Sequence, residues 1–453
     1  MKSIIIGGGL AGLTAAIALA EQGAQVTLLE AKPRLGGATC SFNRDGLIVD
    51  TGQHVFLRCC SAYQGLLGKL GMTEHAPIQP RFDATILAPG GRQARLRRTA
   101  LPGPLHMLPA LLRYRFLSIP ERSVVSRASL AMRGVDPADP AVDDVRFGDW
   151  LAAHGQSEHA RRVLWDLFTV SALNVAGDDA SLALAAVVVK TGLLGANDAA
   201  DIGVPALPLG ELHGDAAGRL LAELGADVRL NTKVRGVEPA QDGYKVALDD
   251  EQLVADEVVL AVTPEQAARL IPADALPSAE VAAWSGLGAS PIVNLHVIYD
   301  REVMDLPFAA GVDTPVQWIF DRTRISGYGG EGQYLAVSLS AGDEYVDMPV
   351  ADLRERFVPA LAEVLPGARD ARIAEFFVTR ERRATFRQVP GTGALRPAPG
   401  TKLPGLVLAG AWTATGWPDT MEGAVRSGLA AATELRRMRS QIPTDSDSLG
   451  VSP

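Results

Sequence analysis

The chain opens on two successive hydrophobic periodicities. Residues 3–6 form an apolar run of strand length, Gly7 to Gly12 break it, and small apolar residues then continue as a helical stretch through Ala20. A second apolar run, 25–29, stops at Glu30. Between 208 and 263 the pattern predicts an amphipathic helix over 215–224, strands over 227–230 and 233–238, and a buried strand over 258–262. Within that region 244–248 pairs with 252–254 as a hairpin across Asp249-Asp250. Residues 292–298 and 334–338 alternate as strands, the run from Leu406 ends in Ala409-Gly410, and 422–437 reads as an alanine-rich helix. Strands interleaved with helices predict an α/β fold, α+β overall.

Composition narrows the class. With 453 residues, 47% hydrophobic and 21% charged, the chain is neither disordered nor fibrous and has room for two or three domains. Cys40, Cys59 and Cys60 have no zinc-ligand spacing and read as reduced thiols of a cytoplasmic protein; no metal site is expected. A net charge of −9 and a pI near 5.4 disfavour nucleic acid as a partner. No apolar run approaches the ~20 residues of a spanning helix, yet mean hydropathy is +0.11, high for an enzyme that meets only water.

Gly7-Gly8-Gly9-Leu10-Ala11-Gly12 is Gly-x-Gly-x-x-Gly between a strand and a helix, the context that gives the motif meaning. Gly7 allows the tight turn, Gly9 lets a pyrophosphate approach the backbone, and Gly12 lets the helix pack on the strand. Glu30, eighteen residues after Gly12, ends the second strand where a carboxylate can hold ribose hydroxyls. A chance triad in a glycine-rich chain is the bland alternative; strand, helix, second strand and acid in register argue against it. After Glu30 come Ala31-Lys32-Pro33-Arg34-Leu35-Gly36-Gly37-Ala38, a second glycine pair with two candidate cationic partners, Lys32 and Arg34.

This stretch resembles the Glu-Ala-x-x-Arg-x-Gly-Gly-Arg signature of the flavin amine oxidase and phytoene desaturase superfamily, with Ala38 where that family has Arg. The segment Gly410-Ala411-Trp412 through Gly428 resembles the superfamily's second flavin motif. The resemblance implies a Rossmann-like domain holding non-covalent FAD. Gly52, Gln53 and His54 would lie near the flavin ring, and Val234 near the adenine. Gly410, Asp419, Met421, Glu422 and Ala424 would meet the pyrophosphate, ribityl chain and pyrimidine edge. The pattern alone also allows a plain β-meander around Val234. Relatives often carry Gly-Asp at Gly410-Ala411, so Asp419 is either a replacement ribityl contact or a helix cap. The implied cofactor domain is discontinuous, 1–79, 206–284 and 396–438, with a substrate domain of 80–205 and 285–395 and a disordered tail over 439–453.

Asp50-Thr51-Gly52-Gln53-His54-Val55-Phe56 together with 410–418 resembles one branch, the squalene-associated FAD-dependent desaturases. That resemblance implies reductive removal of the hydroxyl of hydroxysqualene, an apolar triterpene, to give squalene. His54 is the first choice of proton donor, against a structural or flavin-contact role; Trp412 and Trp417 either line the pocket or fill space. No second dinucleotide fingerprint is present, which points to a separate electron donor. Between Arg92 and Arg133 nine arginines and one acid interleave with leucines, either a basic surface for peripheral membrane contact or a solvated face. A carotenoid-type desaturase and a non-catalytic prenyl-lipid carrier of the GDP-dissociation-inhibitor type remain the alternatives.

Overall fold

The computed structural model describes residues 1–441. Strands β1 (Lys2–Ile6), β2 (Gln25–Leu29), β3 (Asp227–Arg229), β4 (Glu257–Leu260) and β5 (Leu406–Leu408) form a parallel sheet in the order β5-β4-β1-β2-β3. All but the edge strand β3 are largely apolar and buried, because helices cover the sheet's faces. Helix α1 (Leu10–Glu21) is buried along most of its length, as a small-residue, apolar sequence requires. Helix α2 (Ser61–Lys69) and helix α3 (Met421–Ser440) complete this layer. Arg439 and Ser440, expected in the tail, instead finish α3, where Arg439 pairs with the buried Glu257 at 2.5 Å; the rest of the tail lies outside the described residues.

A seven-stranded sheet forms the second layer, in the order Ile373–Thr385, Ser290–Tyr299, Gln333–Leu339, Trp318–Asp321, Phe308–Gly311, Asp83–Ala88, Arg92–Arg97. The two strands expected over 292–298 and 334–338 are neighbours, with Asn294 opposite Ser338 and Ile298 opposite Tyr334. Alternation along Ser290–Tyr299 decides what each face does. Val293, Leu295, Val297 and Tyr299 pack with Leu353, Phe357 and Leu361 of the helix Val350–Val364. Ile298, Tyr334 and Phe377 pack on Leu47 and Val49 of the hairpin that leads out of the second glycine pair. That face therefore meets the parallel-sheet layer.

The hairpin of 243–247 with 252–255 forms as expected. The strand expected over 233–238 instead starts at Gly236. Hydrogen bonds from Thr232 N–H to Glu30 O (2.9 Å) and from Arg235 N–H to Ala247 O (2.8 Å) hold the link irregular.

Helices α1 and α3 touch through Gly428, where a Cβ would stand 2.3 Å from Ala11 O and 2.8 Å from Thr14 Cβ. Gly428→Ala is expected to destabilise the protein by about 1–3 kcal/mol through overpacking. Gly65→Ala, whose Cβ would meet nothing within 4 Å, leaves stability equal or higher. Thermal unfolding of the two variants checks this: equal midpoints would mean that the α1–α3 approach is loose.

Candidate functional site

The two glycine turns meet at the C-terminal end of β1. Gly36 N–H donates to Gly8 O at 2.8 Å, and Gly9 and Gly36 pair as an isolated parallel bridge. Gly37 has φ +58°, and its Cβ would fall 2.9 Å from Gly9 Cα. Gly12 is needed for closeness, since its Cβ would lie 1.9 Å from Gly7 O. Gly9 differs: a Cβ there would meet only Gly37 Cα, at 3.8 Å, and would project into the groove. Helix α1 starts at Leu10 and Ala11 with Gly9 as its N-cap and no side-chain cap, so its first amides are available to an anion.

Glu30 is anchored at the same edge. Its Oε2 accepts Gly8 N–H at 2.7 Å and its Oε1 accepts Lys32 N–H at 2.8 Å. Ala31, Lys32, Arg34, Gly37 and Ala38 are exposed, and Arg34 Nε lies 3.1 Å from Cys40 Sγ. Val234 is buried, and no backbone hydrogen bond engages its amide or carbonyl. A groove that a Cβ would fill, an uncapped helix start and a terminal carboxylate together fit a dinucleotide.

The second motif is held from outside itself. Arg396, 9% exposed, donates to Thr413 O (3.0 Å), Ala411 O (2.9 Å), Thr415 Oγ1 (3.0 Å) and Trp417 O (2.8 Å), fixing the whole 411–417 loop. Burial lowers its pKa to about 10, against the opposing pull of Asp419 and Asp143. Nothing in 389–400 marks Arg396 as special, so sequence reasoning missed it. Gly410 N–H donates to Ser427 Oγ at 2.8 Å, and a Cβ at Gly410 would strike the Trp412 indole.

Several expected roles change here. Trp412 is buried, donates to Val262 O at 2.9 Å and packs edge-on against Trp284, so it ties the loop to the segment just after β4. Trp417 lies under the Arg426 guanidinium at 4.7 Å. Glu422 accepts the amides of Ala62 (3.1 Å) and Tyr63 (2.7 Å) and pairs with Arg426 (2.7 Å). Its carboxylate therefore anchors α2 rather than standing free for a cofactor. The cap of α3 is Thr420, which accepts Gly423 N–H, and not Asp419. Asp419 Oδ2 accepts Phe386 N–H at 2.8 Å, and burial pushes its carboxyl up to about 6. Met421 is buried and Ala424 half-buried at the first turn of α3.

Between the layers, Asp50 and Arg322 form a buried ion pair, and Asp50 Oδ1 also accepts Ser41 Oγ (2.6 Å) and Leu209 N–H (3.0 Å). The pair fixes the start of the Gly52-Gln53-His54 turn. His54 Nδ1 lies 3.1 Å from Gly52 O, an arrangement that makes Nδ1 the donor. Burial depresses its pKa below the usual value, while the Gly52 carbonyl and Asp50 pull upward. A neutral ring results near pH 7. Behind it, His296 contacts Tyr334 OH (2.6 Å) and Thr379 Oγ1 (3.0 Å) and stacks on Phe377. Burial lowers His296 to about 3, and His213, bonded to Tyr63 OH, to about 4.

Across the seven-stranded sheet, register places Thr379, Asn294, Ser338, Trp318, Ala310 and Ile86 in one row. Polarity falls along it, away from the Gly52 turn. Farther out, Leu96 and Phe168 border an apolar cavity of about 80 Å³ closed by Met107, Leu111, Val125 and Trp165.

A glycine-turn parallel sheet with an acid at its second strand, joined to a late loop and helix, defines an FAD-dependent oxidoreductase. The chain belongs to the flavin containing amine oxidoreductase family, whose description matches residues 10–436. It is 30% identical to a hydroxysqualene dehydroxylase of Sinorhizobium fredii, over 94% of this chain and 96% of that protein. It is 31% identical to one of Rhodopseudomonas palustris with the same coverage, and 26% to a zeta-carotene desaturase of Zea mays, over 98% and 86%. Among solved structures, cyclohexylamine oxidase from Brevibacterium oxydans has a TM-score of 0.72 at 22% identity, covering 97% of this chain and 99% of that one. A putrescine oxidase with bound putrescine has 0.71 at 20%, covering 96% and 99%. These likenesses share the fold. The family membership makes the chain an enzyme and sets aside the non-catalytic lipid carrier.

Gly9→Val is expected to fold, because its side chain meets no protein atoms closer than the facing glycine, and to lose FAD, because it fills the groove. Flavin content and far-UV circular dichroism check this; normal flavin content would contradict the placement. Acid should also weaken the fold. His213 and His296 are neutral when folded and titrate near 6.5 when unfolded, so stability is lost as pH falls below about 6.5, down to about 4 and about 3 respectively. Between pH 7 and 5 each imidazole costs about 2 kcal/mol. In urea titrations His296→Gln should lose about 2 kcal/mol less than wild type over that interval; equal losses would refute it.

Proposed function

We propose that the protein reduces hydroxysqualene to squalene, removing the hydroxyl as water. What carries this reading is whole-length similarity to two hydroxysqualene dehydroxylases at 30% and 31% identity. The geometry supports it, because a long hydrocarbon with one polar group suits an apolar sheet row that turns polar only beside the Gly52 turn. FAD, held non-covalently by the glycine lip, the α1 amides and the 410–424 loop, supplies in its reduced form the hydride that replaces the hydroxyl.

The chain's residues prepare that exchange. Packing of the hairpin 41–50 onto Ile298, Tyr334 and Phe377 keeps water from the seam, which a developing carbocation requires. His54, neutral near pH 7, orients rather than protonates. Asp419, in the second flavin motif and held by the Phe386 amide, is the candidate acid for the departing hydroxyl, its carboxyl raised by burial to about 6.

We read the chain as the two interleaved domains given above, the second receiving substrate from a bilayer. Leu101, Leu105, Leu112, Ile119 and Leu130 are exposed amid the arginines of 92–133, directly outside the apolar cavity. Exposed leucines set among cations suit contact with an anionic leaflet. None of the helices among the described residues is long and apolar enough to cross a membrane; the reading is of peripheral contact at the cytoplasmic face. A separate donor reduces the flavin.

Similarity to zeta-carotene and 15-cis-phytoene desaturases favours one second reading, in which the hydride moves from a polyene to oxidised flavin. Anaerobic incubation of the chemically reduced protein with hydroxysqualene separates the two. Squalene is the expected product. Its absence, with bleaching of the oxidised protein by phytoene, would establish the desaturase instead.

A further inference from the structure

At the seam between the layers, three buried polar atoms have no hydrogen-bond partner: Asn294 Oδ1, Gln53 Oε1 and Gln53 Nε2. Unpaired polar atoms in a closed interior are costly, so a native fold keeps them where something else completes them. Asn294 is fully buried in the strand Ser290–Tyr299, which is paired on both sides, on the face that packs against the 41–50 hairpin and the Gly52 turn. Nδ2 faces Thr51 O at 3.5 Å and lies 4.0 Å from where a Gly52 Cβ would stand, and Oδ1 is the unpaired end. Its neighbours across the sheet are Ser338 and Thr379, the polar end of the row that becomes apolar at Trp318 and Ile86. Thr379 is already engaged by His296.

The chemistry of the free atom selects its ligand. A neutral carbonyl oxygen accepts O–H or N–H hydrogens and offers no full charge to balance an ammonium ion. Asp50, the carboxylate that leads into this turn, is already balanced by Arg322. We propose that Asn294 is the specificity-determining residue for an alcohol, its Oδ1 accepting the hydroxyl hydrogen of an otherwise hydrocarbon substrate. Gln53, the residue after Gly52, adds one acceptor and one donor to the same turn. An alcohol brings one hydrogen to such a site and a departing water brings two. An acceptor holding the alcohol oxygen's hydrogen binds more strongly once protonation makes the oxygen positive, which is the direction that favours C–O cleavage.

This inference rests on the dehydroxylase reading and deepens it, so the test separates the two. Hydroxysqualene and squalene are titrated into the oxidised holoenzyme, and binding is read from the flavin absorbance spectrum without turnover. Wild type should bind the alcohol about 10-fold more tightly than squalene, the ratio typical of one buried hydrogen bond. Asn294→Leu should bring the two affinities together, while Asn294→Asp, which keeps an acceptor oxygen, should retain the preference. Flavin content is measured first, and Asn294→Ala replaces a leucine variant that does not hold FAD. An undiminished preference in the leucine or alanine variant would overturn the assignment, as would a wild type that binds both ligands equally. A preference that depends on Asn294, in a protein whose reduced form makes no squalene, would uphold alcohol recognition and refute the dehydroxylase reading.

Discussion

The structure depends on the contact between two glycine turns, Gly7–Gly12 and Gly36-Gly37, at the end of β1. Gly37 sits where its own Cβ would strike Gly9, and Gly36 is bonded to Gly8, so the second turn can carry no side chain at the contact. This closeness brings two stretches of backbone amide to one groove and leaves Gly9 open toward it. It also fixes where the chain goes next. The hairpin after Gly37 must leave the parallel-sheet layer and lie on the seven-stranded sheet, which sets the seam where Gly52, His54 and Asn294 come together.

A second constraint holds that seam. Asp50 and Arg322 are both withdrawn from solvent, and such a pair is seldom a net source of stability, because desolvation offsets the attraction. Removing one partner is another matter, since an isolated buried charge is costly. The pair works as a fastener: Asp50 also holds Ser41 and the Leu209 amide, so one carboxylate ties the exit of the hairpin to two distant segments. Arg396 plays the same part for the second flavin motif, with four donor contacts to one loop. In both places a rigid polar anchor lies just outside the groove and shapes backbone that carries little side-chain chemistry of its own.

Legibility in the sequence follows contact range. The β1-α1-β2 unit, its glycines and Glu30 span thirty residues, and local spacing was enough to read them. So was the hairpin across Asp249-Asp250. Two strands of the seven-stranded sheet, 292–298 and 334–338, are legible from alternation, but not which face meets the cofactor layer. The misread residues are those whose partners lie far away. Trp412 reaches Val262, 150 positions earlier, and Glu422 reaches Ala62 and Tyr63, 360 and 359 earlier. Val234 falls in the strand predicted over 233–238, yet the Thr232 amide is drawn to Glu30 O and the ladder starts only at Gly236, opposite Ala247. Arg396 and Asn294 belong to no motif. Only the closed structure gives a buried arginine four carbonyl and hydroxyl acceptors, or leaves one asparagine oxygen unpaired.

These pieces make one account: a flavin between the glycine lip and the 410–424 loop, and a hydrocarbon alcohol laid along the Trp318 row with its oxygen at Asn294. The most direct measurement is a crystal structure of the holoenzyme with hydroxysqualene bound to the oxidised form. The account predicts density for the isoalloxazine beside the Gly52 turn, and a triterpene chain running from Asn294 past Trp318 toward the Met107–Leu111 cavity. A triterpene bound elsewhere, or a flavin ring away from Gly52 and His54, would contradict it.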